Sequence, residues 1–277
     1  MLVLGAVLSV QLGAAAATTL FDEIGPGGTV FYRLLFAALV LLAIWRPRPA
    51  DVPGRSAAWL AVLFGVALAA MNFSFYEALD RIPLGVAVTL EFVGPLGVAL
   101  WASRRRHDVL WVVLAAAGVV LLAGPLGSSP DALGVVFALT AGLFWGAYIL
   151  ISSRVGQEFS GGTGLALAMA VAAALMLAPG IALGGDDLLD ARVIAIGAAV
   201  AMLSSLIPYS LELEALRRMP VGVFGVLMSL EPGVAAVVGL LALGQGLAPA
   251  EAAGIALVMA ASVGALRQPG ARPPTEA

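Results

Sequence analysis

Long apolar runs alternate with short polar or Gly/Pro-rich connections along the whole chain. The runs are about 17–23 residues long, close to the roughly 20 that a helix needs to cross a hydrocarbon core. They predict helices near residues 2–20, 29–45, 57–76, 83–101, 109–126, 131–152, 163–183, 191–211, 221–243 and 249–266. Breakers fall between them: Gly25-Pro26-Gly27-Gly28, Pro47 and Pro49, Gly124-Pro125, Gly161-Gly162 and Gly184-Gly185, all turn chemistry. Backbone groups in lipid must be satisfied within a segment, so these runs are read as helices. No alternating ten-residue pattern suggests barrel strands. The expectation is an all-α integral membrane protein with ten transmembrane helices. The first run ends in Ala14 to Ala17 but lacks the basic leader of a secretory signal, so it is read as a retained span. The segment 267–277, with Pro269, Pro273 and Pro274, is expected to be a disordered tail.

Composition strengthens the membrane reading. The 277 residues are 61% hydrophobic and 11% charged, with a mean hydropathy of +1.04, whereas soluble domains carry about a quarter charged residues. There is no cysteine, which excludes disulfides, thiol nucleophiles and iron–sulfur centres. The one histidine, His107, sits in an arginine-rich loop and reads as solvated. No aspartate-rich pair, metal-ligand cluster, serine–histidine arrangement or nucleotide loop is present, so no enzyme, cofactor, metal, nucleic-acid or ATP-driven role is expected.

Charge sets orientation. All 14 basic residues are arginines. With the N-terminus inside, cytoplasmic segments hold 11 of them and external loops two, Arg81 and Arg192, while Arg33 lies within a span. That asymmetry predicts an inner-membrane protein with both termini cytoplasmic. Trp45, Trp59, Trp101 and Trp111 fall at the same helix ends, where indoles sit among headgroups.

The chain also states one passage twice. EALDRIPLGVAVTLEFVGP at 77–95 matches EALRRMPVGVFGVLMSLEP at 214–232 at an offset of 137. The offset divides the chain into two five-helix repeats, 1–126 and 131–266. Because five is odd, the second copy is expected to cross the membrane inverted, and the arginine count independently places the two passages on opposite sides. Inverted repeats are the architecture of many secondary transporters, whose sites lie near the midplane between the repeats.

Each copy sinks one acid into its apolar run. Glu91 is 8 residues from Pro83 and 10 from Trp101; Glu231 is 10 from Val221 and 12 from Leu243. Both are therefore expected near mid-bilayer, where an ionisable side chain costs roughly 2.5–3.5 kcal/mol, and proton exchange is expected there. Pro95 cannot donate to the carbonyl of Glu91, and Pro232 likewise frees that of Met228. The competing reading is a pair of structural acids with prolines as simple kinks.

Other candidates each carry a bland alternative. Trp145 and Tyr148 share a face of the sixth span and either wall a cavity or pack on a neighbour. Gly142 and Gly146 suit close helix approach. Asn72 and Tyr209 match across the offset and either bond substrate or join helices. Tyr76 reads as an interface anchor. Gln11 lies midway along the first span, where an unpaired amide is costly. Arg33 either snorkels, pairs with Asp22 or Glu23, or attracts an anionic group. The Arg104-Arg105-Arg106 run reads as a topology determinant.

Several passages are similar to a known family. Ten spans in two inverted repeats resemble the EamA-type branch of the drug/metabolite transporter superfamily. MNFSFYEALDRIPLGVAVTLEFVGPLGVAL, IPYSLELEALRRMP and FGVLMSLEPGVAAVVGLLALGQ, with SVQLGAAAATTLF and GPGGTVFYRLLFAALVLL, resemble the threonine/homoserine exporter family over nearly the whole chain. The resemblance implies a carrier that exports small zwitterionic amino acids, using the proton gradient. On this sequence the matching positions are Gln11, Arg33, Asn72, Glu91, Pro95, Tyr209, Glu231 and Pro232. Efflux of other metabolites or drugs, or a non-transporting membrane role, are the alternatives.

Overall fold

The structure, a computed structural model, describes residues 1–103, 108–123, 131–218 and 221–267. Arg104, Arg105, Arg106, His107, the Gly124-Pro125 turn and residues 268–277 lie outside them. Among the described residues every regular element is helical. In order these are α1 (Leu2–Thr18), α2 (Phe21–Trp45), α3 (Arg55–Leu79), α4 (Leu84–Glu91), α5 (Val93–Ser103), α6 (Asp108–Ala123) and α7 (Ala132–Glu158). They continue with α8 (Thr163–Gly184), α9 (Ala191–Ala201), α10 (Ile207–Arg218), α11 (Val221–Met228), α12 (Glu231–Leu243) and α13 (Pro249–Arg267). Pairing the broken elements α4/α5, α9/α10 and α11/α12 groups them into ten spans. Five stretches among the described residues are long and apolar enough to cross a membrane: Phe21–Trp45, Arg55–Leu79, Ala132–Glu158, Thr163–Leu189 and, across the α11/α12 break, Phe224–Leu243.

Where the sequence pattern and the helices differ, the cause is local chemistry. The expected Gly25–Gly28 turn shrinks to one residue. Gly25 alone leaves the helical region, at φ 66°, and Pro26 to Gly28 already belong to α2. Proline fits the first turn of a helix because its missing N–H would be unpaired there anyway.

The fourth and ninth spans are not continuous helices. α4 ends at Glu91 and α11 at Met228, and both helices are eight residues long and related end to end by the offset of 137. Each break lies four residues before a proline, whose absent N–H leaves the carbonyl of Glu91 or Met228 unclaimed. The start of α4 is capped from afar: Gln245 Oε1 accepts from the Leu84 N–H at 2.9 Å.

The eighth span runs on to Arg218, past its expected end, and contains a π-helical turn over Met202–Leu206. Pro208 explains part of this. It cannot donate to Ser204, four residues back, and the Ile207 N–H reaches Met202 instead.

The halves interleave. α2 lies along α8, α3 along α7 and α8, α6 along α13, and α4 crosses α12, while α1 packs on α10 and α12. Exchanging each span for the one five places away maps each of these contacts onto itself or onto another pair in contact. Thus α3 on α8 is matched by α2 on α9, and α1 on α12 by α7 on α4 and α5. Outward leucines and tryptophans, such as Leu143 and Trp59, face away from the bundle. The repeated EAL-x-R passage becomes the same ion pair twice: Glu77–Arg81 at 2.7 Å and Glu214–Arg218 at 2.5 Å.

Bare backbone brings α5 and α7 together. A Cβ built on Gly94 would run into the Gly142 backbone, and one built on Gly142 would lie 2.6 Å from the Glu91 carbonyl oxygen. Gly156 on the same α7 has nothing within 4 Å of such a Cβ. Gly142→Ala should therefore lower stability by about 1–3 kcal/mol. Gly156→Ala should raise it by about 0.5–1 kcal/mol, since alanine suits a helix interior better than glycine. Thermal unfolding of both purified variants in detergent checks the opposite signs.

Candidate functional site

A cavity of about 150 Å³ lies where the broken spans meet α1, α2, α3 and α7. α1 supplies Gln11, α2 Arg33, α3 Asn72, α4 Glu91 and α7 Trp145 and Tyr148. The π turn adds Ser204, α10 adds Glu212, and α12 adds Glu231. Gln11, Arg33, Asn72, Glu91, Trp145, Tyr148 and Glu231, scattered over 220 residues of sequence, are thus brought to one space. Tyr209 lies on α10, but its side chain is outside the described residues. Pro95 borders a second cavity instead, and Pro232 is buried in the first turn of α12.

The carboxylates are held in different ways. Gln11 Nε2 donates to Glu231 Oε1 at 3.1 Å, with both side chains buried. Gln11 Oε1, Glu231 Oε2 and Ser204 Oγ are buried with no hydrogen-bond partner among the described residues. Buried polar atoms are normally satisfied, so three such atoms on one cavity mark a place where water or a ligand supplies the missing bonds. Glu91 lies within electrostatic reach of both Glu231 and Arg33, and Glu231 within reach of Glu212.

Arg33 departs from its expected partners. Glu23 bonds Arg192 at 2.7 Å, while Arg33 is buried. Its Nη1 donates to Tyr76 Oη at 3.3 Å and its Nη2 to the Ser204 carbonyl at 3.2 Å. That carbonyl is the one Pro208 leaves unclaimed, so a helix defect on one span holds a guanidinium from another. Tyr76 is likewise not an interface anchor. It is fully buried, with the Arg33 guanidinium 5.5 Å from its ring centroid, within cation–π range.

The rest of the wall is aromatic and helix-bound. Trp145 meets Phe92 edge to face at 5.6 Å, and Tyr148 stacks on Phe64 at 5.2 Å. Asn72 Nδ2 donates to its own helix, to Leu68 O at 2.8 Å. The unclaimed Glu91 carbonyl is turned against Gly142 rather than the cavity.

Sequence reading missed Ser204, Pro208 and Glu212. A proline inside the apolar IPYSLELEAL stretch, with a serine four residues earlier, was a visible signal. Glu212 was hidden because the eighth span was expected to end one residue before it.

The EamA-like transporter family matches residues 1–126 and again 132–267. The chain belongs to that family. It is a multi-pass membrane transporter. It is 41% identical over 266 residues, 95% of this chain and 89% of that protein, to the threonine/homoserine exporter RhtA of Escherichia coli K12. It is 40% identical to the threonine/homoserine exporter RhtA of Salmonella typhimurium LT2, over 94% of this chain and 88% of that one. An uncharacterised transporter of Bacillus subtilis, YwfM, is 27% identical over 83% of this chain and 80% of its own length. A solved crystal structure shares the fold over 94% of both chains at a TM-score of 0.63 and 18% identity.

In this transporter the Gln11–Glu231 bond joins the first half to the second. Gln11→Leu would strand Glu231 Oε1, and the loss of a buried hydrogen bond of this kind costs about 1–3 kcal/mol. Thermal unfolding of the purified variant in detergent should show that loss, and an unchanged midpoint would mean the bond carries no stability.

Proposed function

We propose that this chain exports small amino acids of the threonine and homoserine type by alternating access, in exchange for protons. One observation carries the reading: a small cavity that presents a guanidinium together with carboxylates from facing helices. That is the complement of a zwitterion. Arg33 meets the substrate carboxylate, with Asn72 beside it, and Glu91 and Glu231 meet the ammonium group. Burying unpaired charge is costly, so a substrate bearing both signs fits where a singly charged one would leave an ion unmatched.

Size supports the same class. Sites for drug-sized ligands run about 300–1,000 Å³, whereas this cavity measures about 150 Å³. The relatives at 40–41% identity carry the name of threonine/homoserine exporters, in agreement with a small amino acid and against bulky drugs.

Two partnerless atoms at Gln11 and Glu231 suit exchange of one ligand for another. In this reading a proton and the substrate ammonium compete for the same carboxylates. Each half-cycle carries one outward and the other inward as the repeats rock about the shared site. The two repeats cross in opposite senses, with both termini in the cytoplasm of a cell whose inner membrane holds the chain.

Proteoliposomes loaded with labelled threonine test the coupling. Glu91→Gln and Glu231→Gln should each reduce efflux driven by a pH gradient by about tenfold or more. Arg33→Lys keeps the charge but not the planar fork, and should weaken threonine binding more than it slows turnover. Efflux indifferent to all three substitutions would sink the assignment. The absence of cysteine makes orientation equally testable. A single Asp80→Cys should react with a membrane-impermeant thiol reagent from outside intact cells, and Arg218→Cys only after the cells are opened.

A further inference from the structure

A second cavity of about 290 Å³ adjoins the first. It is bordered by the first turn of α5, the middle of α7 and α10, and Ser262 on α13. It is called the inner chamber because these helices run on to Ser103, Glu158, Arg218 and Arg267. Three residues border both spaces: Trp145, Glu212 and Met228. The rest of the inner chamber is apolar, including Phe92, Pro95 and Phe224, apart from Ser262.

Two features make this chamber more than a packing gap. Glu212 is its sole carboxylate among the described residues, and no hydrogen bond or ion pair among those residues holds it. Two positions on, Glu214 pairs with Arg218 at 2.5 Å, so an ion-pairing arginine was available to this helix and is used by the other acid. The second feature is Ser262, whose hydroxyl is buried with no partner. Ser262 and Glu212 are the polar groups that would hold a water in this space.

The charged and titratable side chains around the two cavities are Arg33 on α2, Glu91 on α4, Tyr148 on α7, Glu212 on α10 and Glu231 on α12. The residues contributed by α1, α3, α5, α11 and α13 carry none. Within this set Glu212 is in electrostatic reach of Glu231, and Arg33 of Glu91.

We infer that Glu212 is a proton-transfer residue that connects Glu91 and Glu231 to the inner chamber. A proton leaving the Glu231 carboxyl passes to the Glu212 carboxylate, directly or through one water, and from there to water in the chamber. Glu212 returns to its ionised form, so no other donor or acceptor is needed. The inference rests on the proton exchange proposed above, and adds the path by which those protons reach one face.

The test compares two rates in proteoliposomes of the full chain: threonine accumulation driven by a pH gradient, and threonine counterflow at equal pH, which needs no net proton movement. In Glu212→Gln the ratio of the first to the second should fall by about tenfold or more, and Glu212→Asp should recover part of it. A ratio equal to the wild type overturns the relay, including the case in which both rates fall together through misfolding. A wild type that counterflows threonine yet ignores the gradient overturns the relay and leaves the substrate assignment standing. A wild type that does not counterflow threonine overturns the assignment, and a second measurement then decides the relay by itself. Infrared spectroscopy of the purified protein follows hydrogen–deuterium exchange at the Glu91 and Glu231 carboxyl bands. That exchange should slow by about tenfold in Glu212→Gln, and an unchanged rate overturns the relay.

Discussion

A guanidinium inside a lipid-spanning bundle needs fixed acceptors, and in this protein the backbone provides one by failing to complete a helix. Pro208 withholds the N–H that would have occupied the Ser204 carbonyl, a π turn takes up the slack, and Arg33 uses the carbonyl at 3.2 Å. Irregular backbone at membrane depth is tolerated only where it is buried in protein or lines a cavity. The defect on the eighth span and the charge on the second therefore depend on one another. Tyr76 completes the arrangement with its hydroxyl and ring, and the cavity takes its polarity from this cluster on one side and from Glu91 and Glu231 on the other.

Three of the proline-made openings serve different ends. That at Glu91 is filled by close helix contact, because Gly94 and Gly142 let α5 and α7 meet backbone to backbone. That at Met228 ends α11 one turn before Glu231. That at Ser204 alone is seen to engage a charged side chain of the cavity. A proline in an apolar run thus states that a carbonyl is released and leaves open what will claim it, since the claimant comes from a distant part of the chain.

Much of the fold was legible for the same reason that some of the site was not. Hydrophobic runs report the solvent around each helix, so the ten spans could be read directly. The two copies of the repeat, however, were read as continuous helices, 83–101 and 221–243, and the breaks after Glu91 and Met228 were not read. The side chains gathered at the cavity are polar exceptions within apolar runs, and those stood out: Gln11, Asn72, Glu91 and Glu231. Long-range partners did not. Arg33 was matched in sequence to nearby Asp22 and Glu23, but α9 brings Arg192 to Glu23 instead. Tyr76 looked peripheral by its distance from a helix end and proved fully buried. Glu212 lay just beyond an expected boundary that the π turn and the longer α10 displaced.

The twin ion pairs Glu77–Arg81 and Glu214–Arg218 close helices that begin far away, α3 at Arg55 and the eighth span at Ala191. A helix of 25 residues such as α3 is about 37 Å long, longer than the roughly 30 Å of hydrocarbon. Such a helix meets its bilayer by leaning or by thickening the lipid around it. Lipid thickness is then a mechanical input to this carrier: it sets how far the long helices tilt, and through them the spacing of the walls that α2, α3 and α7 place around the cavity.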